Sequence, residues 1–152
     1  MPGPNSEPIF SRVADIQWEE SITATAVTAN NNMDLTVSGT IYEVFVADAT
    51  NGGFVRNARV KVGPGQSTSA SVVRFWLNNG SSATAASANS ALIGELGLPA
   101  TTTSASAPQA DFDYGLNMAL PPGYKIFVTV GSTLVSGAST PELTVTIFGG
   151  KY

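Results

Sequence analysis

The sequence predicts an all-β fold: an antiparallel β-sandwich, of the jelly-roll kind with about eight strands, preceded by an extended N-terminal arm. Apolar and polar residues alternate over many short segments, and this period of two is that of a strand with one buried face. Turn residues, mainly glycine, proline and asparagine, separate these segments at short intervals. No long segment has the period of an amphipathic helix. We therefore divide the chain into an arm, residues 1–20, and one sandwich domain, residues 21–152.

The arm has a composition of its own. Three prolines in its first eight residues fix φ and remove backbone donors, so we expect extended chain rather than strand or helix. It also carries large apolar side chains, which are unusual in a disordered tail; these are Ile9, Phe10, Val13, Ile16 and Trp18. Either they pack back on the surface of their own domain, or they reach a neighbouring subunit. Our candidate set for contact with a shell or a neighbour is Ile9, Phe10, Val13 and Trp18.

The first half of the domain predicts four strands. They are residues 21–30, 34–49, 54–63 and 69–80, with turn signals at NGG (51–53), GPG (63–65) and NNG (78–80). We expect the third of these strands to be half-buried, with one face toward the core and the other solvated. The expected buried face consists of Arg56, Ala58, Val60 and Val62, and the expected solvated face of Asn57, Arg59 and Lys61.

The second half of the domain begins with a segment rich in serine, alanine and threonine, residues 80–107. Its first part predicts either a loop or one to two helical turns, and residues 90–100 predict a short strand. The face expected for that strand is Leu92, Gly94, Leu96 and Leu98. The last three strands are predicted at 110–120, 124–131 and 142–150, with a PPG corner at 121–123. Their expected apolar faces are Phe112, Tyr114, Leu116 and Met118; Ile126, Val128 and Val130; and Leu143, Val145 and Ile147.

The composition excludes several classes of function. Histidine and cysteine are both absent, so Ser-His-Asp and Cys-His catalysis, disulfides and thiolate metal sites are impossible. The net charge of −4 argues against nucleic-acid binding. No segment approaches the roughly 18 apolar residues of a membrane span, and the N-terminus lacks the features of a signal peptide. Only 12% of residues are charged, against about 25% in ordinary domains, which fits either permanent assembly or a solvated Ser/Thr surface.

The remaining candidates for chemistry are few. Asp111 and Asp113 share one face of a predicted strand, either as a paired acid or calcium corner, or as solvated charges. Trp76 is either a platform on which a sugar ring stacks, or a core or interface residue. Three cations could form a small basic patch across neighbouring strands, for which we favour an intersubunit salt bridge or solvation over nucleic-acid contact; these are Arg59, Lys61 and Arg74. We expect no catalytic, cofactor or metal site and no enzyme, with a carboxylate-based depolymerase as the remaining enzymatic hypothesis.

Two long segments carry a resemblance to a known family. They are VVRFWLNNGSSATAASANSALIGELGLPATT and ADFDYGLNMALPPGYKIFVTVGSTLVSGASTPELTVTIFGGKY. Their order of a strand, NNG, an Ala/Asn loop, LPATT, a D-Y strand and an LP-x-GY strand resembles small virion proteins of bacteriophages and prophages of the capsid decoration (cement) type. The resemblance covers roughly residues 36–152; the proline-rich N-terminus and the STPELTVTIFGGKY ending depart from it.

The resemblance implies a structural virion protein without a cofactor. It would be made in the bacterial cytoplasm, form a homo-oligomer such as a dimer or trimer, and bind the major capsid protein on the outside of an icosahedral head. It would bind neither nucleic acid nor membrane. The alternative from a different class is a carbohydrate-binding head or tail module that recognises a glycan of the host surface, with Trp76 as its stacking residue.

Overall fold

The computed structural model describes residues 13–24, 29–30, 35, 41–63, 67–102, 104–134 and 142–152. All regular structure in these residues is β-strand. The strands are β1 (Val13–Thr23), β2 (Tyr42–Val46), β3 (Gly53–Val62), β4 (Ser71–Asn78), β5 (Ser90–Leu98), β6 (Asp111–Leu120), β7 (Lys125–Val130) and β8 (Glu142–Lys151). The segment before β5, for which a loop or helical turns were expected, is a loop with one turn. No helix that could span a membrane occurs in the described ranges.

The strands form two antiparallel sheets of four strands each. The first sheet has the order β1-β8-β3-β6 and the second the order β2-β7-β4-β5. The first strand therefore lies beside the last, the second beside the seventh, the third beside the sixth and the fourth beside the fifth. The predicted all-β antiparallel sandwich is confirmed.

The core lies between the two sheets, where alternate residues of each strand meet. The faces predicted for the last two strands are fully buried: Ile126, Val128, Val130, Leu143, Val145 and Ile147. Burying one side chain of this size stabilises the fold by about 1.5–3 kcal/mol relative to leaving it exposed. At the β5–β6 side the core ends in a stacked pair, Phe75 and Tyr114, whose ring centroids are 5.0 Å apart.

The N-terminal part of the chain differs from the expectation. Residues 13–20 were expected to be extended arm without strand, but they form most of β1, which pairs with β8 from Val13↔Lys151 onward. The prolines that argued against a strand end at Pro8, and the residues from Val13 on alternate as a strand does. The expected boundary at residue 20 therefore falls inside β1. The remainder of the arm, with Ile9 and Phe10, lies outside the described residues.

A β-bulge corrects the predicted face of β3. Register with the neighbouring strands shifts between Val55 and Asn57, so Arg56 has no paired position. Val55 and Ala58 are buried, whereas Arg56 is exposed rather than part of the buried face. A strict period of two cannot continue through a bulge, because the extra residue shifts every later side chain by one position.

A second irregularity corrects the predicted face of β5. Gly94 lies opposite Phe75, whereas Leu92 lies opposite Trp76, so Ile93 is an extra residue between them. Leu92 therefore lies on the outer face of the second sheet and is 45% exposed. The expectation that Leu92 and Gly94 share a face is wrong for the same reason as in β3.

The outer faces of the two sheets differ. On the second sheet a small apolar cluster covers part of the face, and we call it the outer cluster; it consists of Leu35, Ile41, Trp76, Ala85 and Phe127. No comparable cluster covers the outer face of the first sheet in the parts of the chain that the structure describes.

Candidate interaction surface

Two large apolar side chains are exposed on the edge strand of the first sheet. Trp18 is 61% and Ile16 is 49% exposed. The register of β1 with β8 is continuous from Val13 to Glu19, so these even positions share the outer face of the sheet. Ile16 lies directly opposite Phe148, which is half-buried. We call Ile16, Trp18 and Phe148 the apolar strip.

The candidate contact residues from the sequence are only partly brought together. Val13 and Trp18 are both exposed, Val13 by 60%, but Val13 is an odd position and lies on the opposite side of β1. Ile9 and Phe10 lie outside the described residues. Ile16 was not in the candidate set, although its spacing of two from Trp18 places both on one face of a strand. Phe148 was missed because it comes from the other end of the chain.

The inner side of β1 is fixed to the second sheet by side chains. The Gln17 amide donates to the carbonyl oxygen of Val46 at 2.9 Å and accepts from the Val46 N–H at 2.8 Å. The Tyr42 hydroxyl similarly accepts from the Thr23 N–H at 3.1 Å and donates to its carbonyl oxygen at 3.0 Å. These side chains satisfy backbone groups of β1 and β2 where the two edge strands meet. The apolar strip is therefore presented by a strand that side chains tie to the second sheet at its middle and at its C-terminal end.

A shallow depression of about 560 Å³ lies beside the apolar strip on the same outer face. Its lining residues are Arg56, Asn57, Arg59, Asp113, Gly115, Asn117 and Phe148. We call it the Arg56 depression. Phe148 belongs to both features, so they form one continuous surface.

The floor of the Arg56 depression contains a two-pronged ion pair. Arg59 donates from Nε to Asp113 Oδ1 at 3.1 Å and from Nη2 to Oδ2 at 3.2 Å. The Arg59 guanidinium also lies 5.8 Å from the centre of the Phe148 ring, and the Asn57 amide donates to Asp113 at 3.2 Å. The hydrogen bond from Arg59 lowers the pKa of Asp113, and the same bond raises the pKa of Arg59. Both shifts favour the charged forms that make this ion pair.

The structure bears on the other candidates for chemistry. Asp113 is paired with Arg59, which opposes its sharing a proton or a calcium ion with Asp111. No group of three or more acidic residues that could hold a metal ion occurs in the described part of the chain. Elsewhere, Asp48 accepts from the N–H groups of Asn51 and Thr50 in the β2–β3 turn, and these bonds lower the pKa of Asp48.

The small basic patch does not form. Arg59 and Lys61 lie on the outer face of the first sheet, whereas Arg74 belongs to the second sheet. Arg74 is only 5% exposed and donates from Nε to Glu95 at 2.7 Å. The alternation of residues within a strand could not reveal which sheet each strand joins.

Trp76 offers no face to a sugar ring, which corrects its role as a candidate stacking residue. It is 7% exposed and packs in the outer cluster against Phe127 and Leu35. Its indole N–H donates to the buried Thr129 hydroxyl at 3.0 Å. Sugar stacking needs an open aromatic face, and here the ring is covered on the protein's own surface. The competing interpretation of Trp76 as a packing residue agrees with this environment.

Comparison with known proteins adds little. No protein-family model matches the chain, and no curated protein sequence matches it. Among solved structures, a chain of the "Cyanophage Pam1 capsid asymmetric unit" is similar at 12% identity with a TM-score of 0.44, covering 98% of each chain. A structural similarity at this level carries no argument about function.

Proposed function

We propose that this chain is a structural protein of a phage virion, and more specifically a capsid decoration protein. It would bind the outer surface of an icosahedral head and stabilise the shell. The observation that carries this proposal is the apolar strip, with Trp18 and Ile16 exposed by 61% and 49% on a strand tied to the second sheet at its middle and its C-terminal end. The sequence resemblance to virion proteins of this type directs the choice of partner.

The winding of the chain supports the same proposal. We infer that the sandwich is a jelly roll, because first and last, second and seventh, third and sixth, and fourth and fifth strands pair. Such a domain exposes two sheet faces, and here one is partly covered by the outer cluster. The other carries the apolar strip and would face the shell.

The energetics of attachment follow from burial. An apolar side chain that goes from exposed to fully buried contributes about 1.5–3 kcal/mol, so a few such contacts support specific binding. A protein that binds only the assembled shell stabilises it by mass action. We propose the major capsid protein and further copies of this chain, as a dimer or trimer, as its partners on the exterior of the virion. Synthesis would take place in the bacterial cytoplasm.

We propose a binding role rather than an enzymatic one. The chain has no histidine or cysteine, and Asp113 is bound by Arg59. The alternative of a carbohydrate-binding module relied on Trp76 as a platform, and the burial of that residue removes its support.

Binding of the purified protein to undecorated heads of the phage that encodes it tests this proposal. In the double variant Ile16→Thr/Trp18→Thr, threonine keeps the strand preference of β1 and removes the apolar surface. We expect binding at least about 30-fold weaker, as for truncation of an interface hot spot. Urea unfolding of the same variant should change little, since both side chains are already largely exposed.

The matched control is Leu92→Thr. Leu92 is 45% exposed on the outer face of the second sheet, away from the apolar strip. This variant should bind heads as the wild type does. Undiminished binding of the double variant would refute the role of the apolar strip. Wild-type protein that does not bind heads at all would refute the decoration function itself.

A further inference from the structure

The bulge in β3 places Arg56 on the outer face of the first sheet, which also carries the apolar strip. Arg56 is the residue without a paired position, and it is exposed at the edge of the Arg56 depression. Opposite it, β6 carries Asn117 at φ 46°, a left-handed conformation that residues other than glycine adopt rarely and asparagine adopts most readily. Bulges commonly redirect a side chain near functional sites. The local backbone is thus arranged to present Arg56.

The charges in the depression leave Arg56 uncompensated. Asp113 neutralises Arg59 through the two-pronged ion pair, whereas Arg56 makes no ion pair with any described residue. The surface therefore carries a local excess of one positive charge in a chain whose net charge is −4. A guanidinium offers a planar pair of donors that matches a carboxylate.

The neighbouring side chains suit the same kind of ligand. The amide groups of Asn57 and Asn117 line the depression and can donate hydrogen bonds, and Phe148 provides an apolar wall. Asp113 in the floor disfavours a ligand with two negative charges, such as phosphate, more than one with a single charge. One free cation also differs from the stripe of basic residues that nucleic-acid binding requires.

We propose that the Arg56 depression binds a carboxylate of the shell partner, from an aspartate or glutamate side chain close to an apolar residue that contacts the apolar strip. This inference rests on the proposed decoration function, because Phe148 joins the two features into one surface. The apolar strip then supplies most of the affinity. Arg56 supplies orientation, a faster association and a dependence of binding on salt.

Head binding at two salt concentrations tests the inference. At about 50 mM salt we expect Arg56→Gln to bind about tenfold more weakly than the wild type. At about 500 mM salt the difference should shrink to about twofold, because screening weakens the wild-type interaction as well. Arg56→Lys keeps the charge but loses the planar pair of donors, so it should lie between the two.

The matched control is Lys61→Gln, which removes one exposed positive charge from the same strand outside the depression. It should bind as the wild type does. Equal binding of Arg56→Gln and wild type at low salt, or an equal loss in Lys61→Gln, would overturn the inference while leaving the decoration function intact. Wild-type protein that fails to bind heads would instead remove the decoration function, and the inference with it.

Discussion

Replacing Thr129 by valine tests whether the outer cluster is a dry, packed covering of the second sheet. The Thr129 side chain is fully buried, and its hydroxyl accepts the hydrogen bond of the Trp76 indole at 3.0 Å. Valine has nearly the same shape and an equal or higher strand preference, so the substitution creates no cavity. It leaves the indole N–H buried without a partner, which costs about 1–3 kcal/mol. For a domain of this size the melting temperature should fall by about 3–9 °C.

A double-mutant cycle isolates this hydrogen bond from changes in packing. Trp76→Phe alone should destabilise the fold through lost volume and through the Thr129 hydroxyl that it leaves unpaired. The double variant Trp76→Phe/Thr129→Val lacks both the indole N–H and the Thr129 hydroxyl, so neither is left buried without a partner. It should therefore be about 1 kcal/mol more stable than the sum of the two single effects predicts.

Urea unfolding followed by far-UV circular dichroism measures the free energies of all four proteins of the cycle, and tryptophan fluorescence of the proteins that keep Trp76 reports the environment of the indole. The chain has two tryptophans, so a Trp18→Phe background leaves Trp76 as the only emitter. Its emission should be blue-shifted in the folded state and move to the red on unfolding. Thr144→Val on the partly exposed outer face of β8 is the control and should change stability by less than about 0.5 kcal/mol. A Thr129→Val variant as stable as this control would show that the indole has another partner, and the outer cluster would not be dry.

Three further predictions concern the edges and turns of the sandwich. Gly94→Ala would place a Cβ against the Tyr114 ring, so it should lower stability by about 1–3 kcal/mol in urea unfolding, and Gly97→Ala, where the space is open, should not. Gln17→Leu removes both hydrogen bonds to Val46 and should cost about 1–3 kcal/mol, with faster hydrogen exchange of the Val46 amide; unchanged exchange would contradict it. The lowered pKa of Asp48 means that its ionised form stabilises the fold above the unfolded pKa and that this stability is lost as pH falls through the folded value. Asp48→Asn should therefore lower the urea midpoint at pH 7, and the difference from the wild type should shrink as the pH falls between about 5 and 2, because a neutral amide resembles the protonated acid.

Alternation of apolar and polar residues was sufficient to predict the core-forming faces of β7 and β8, whereas bulges interrupted it in β3 and β5. The buried faces of β7 and β8 follow a strict period of two, because both strands lie between two neighbours in a sheet. The N-terminal boundary was wrong because proline content dominated the prediction. A proline removes a backbone hydrogen-bond donor from a sheet only at its own position. The residues from Val13 onward contain no proline in β1 and pair with β8.

The candidate surface was harder to predict, since it depends on bulges and on partners distant in sequence. The bulge at Arg56 turns an expected core position into an exposed cation of the outer face that makes no ion pair with the described residues. Phe148 and Ile16 are neighbours only because the first and last strands pair. Trp76 has the same strand alternation as Trp18, but Trp76 lies on an interior strand and is covered by Phe127 of β7 and by residues outside the strands, whereas Trp18 lies on an edge strand and is exposed. The alternation of residues within one strand shows neither where a bulge occurs nor which other elements will pair with that strand or cover it.

The exposure of Ile16 and Trp18 on an edge strand is a liability for an isolated domain. Exposed apolar edges invite pairing with other chains, and natural proteins protect them with charge. β1 contains Glu19 and Glu20 and no basic residue, so two β1 strands brought edge to edge would bring like charges together. We therefore expect copies of this chain to associate through surfaces other than β1. Acidic residues on the strand oppose self-pairing, while the apolar strip on its outer face remains open to a different partner, which is the combination that attachment to a shell requires.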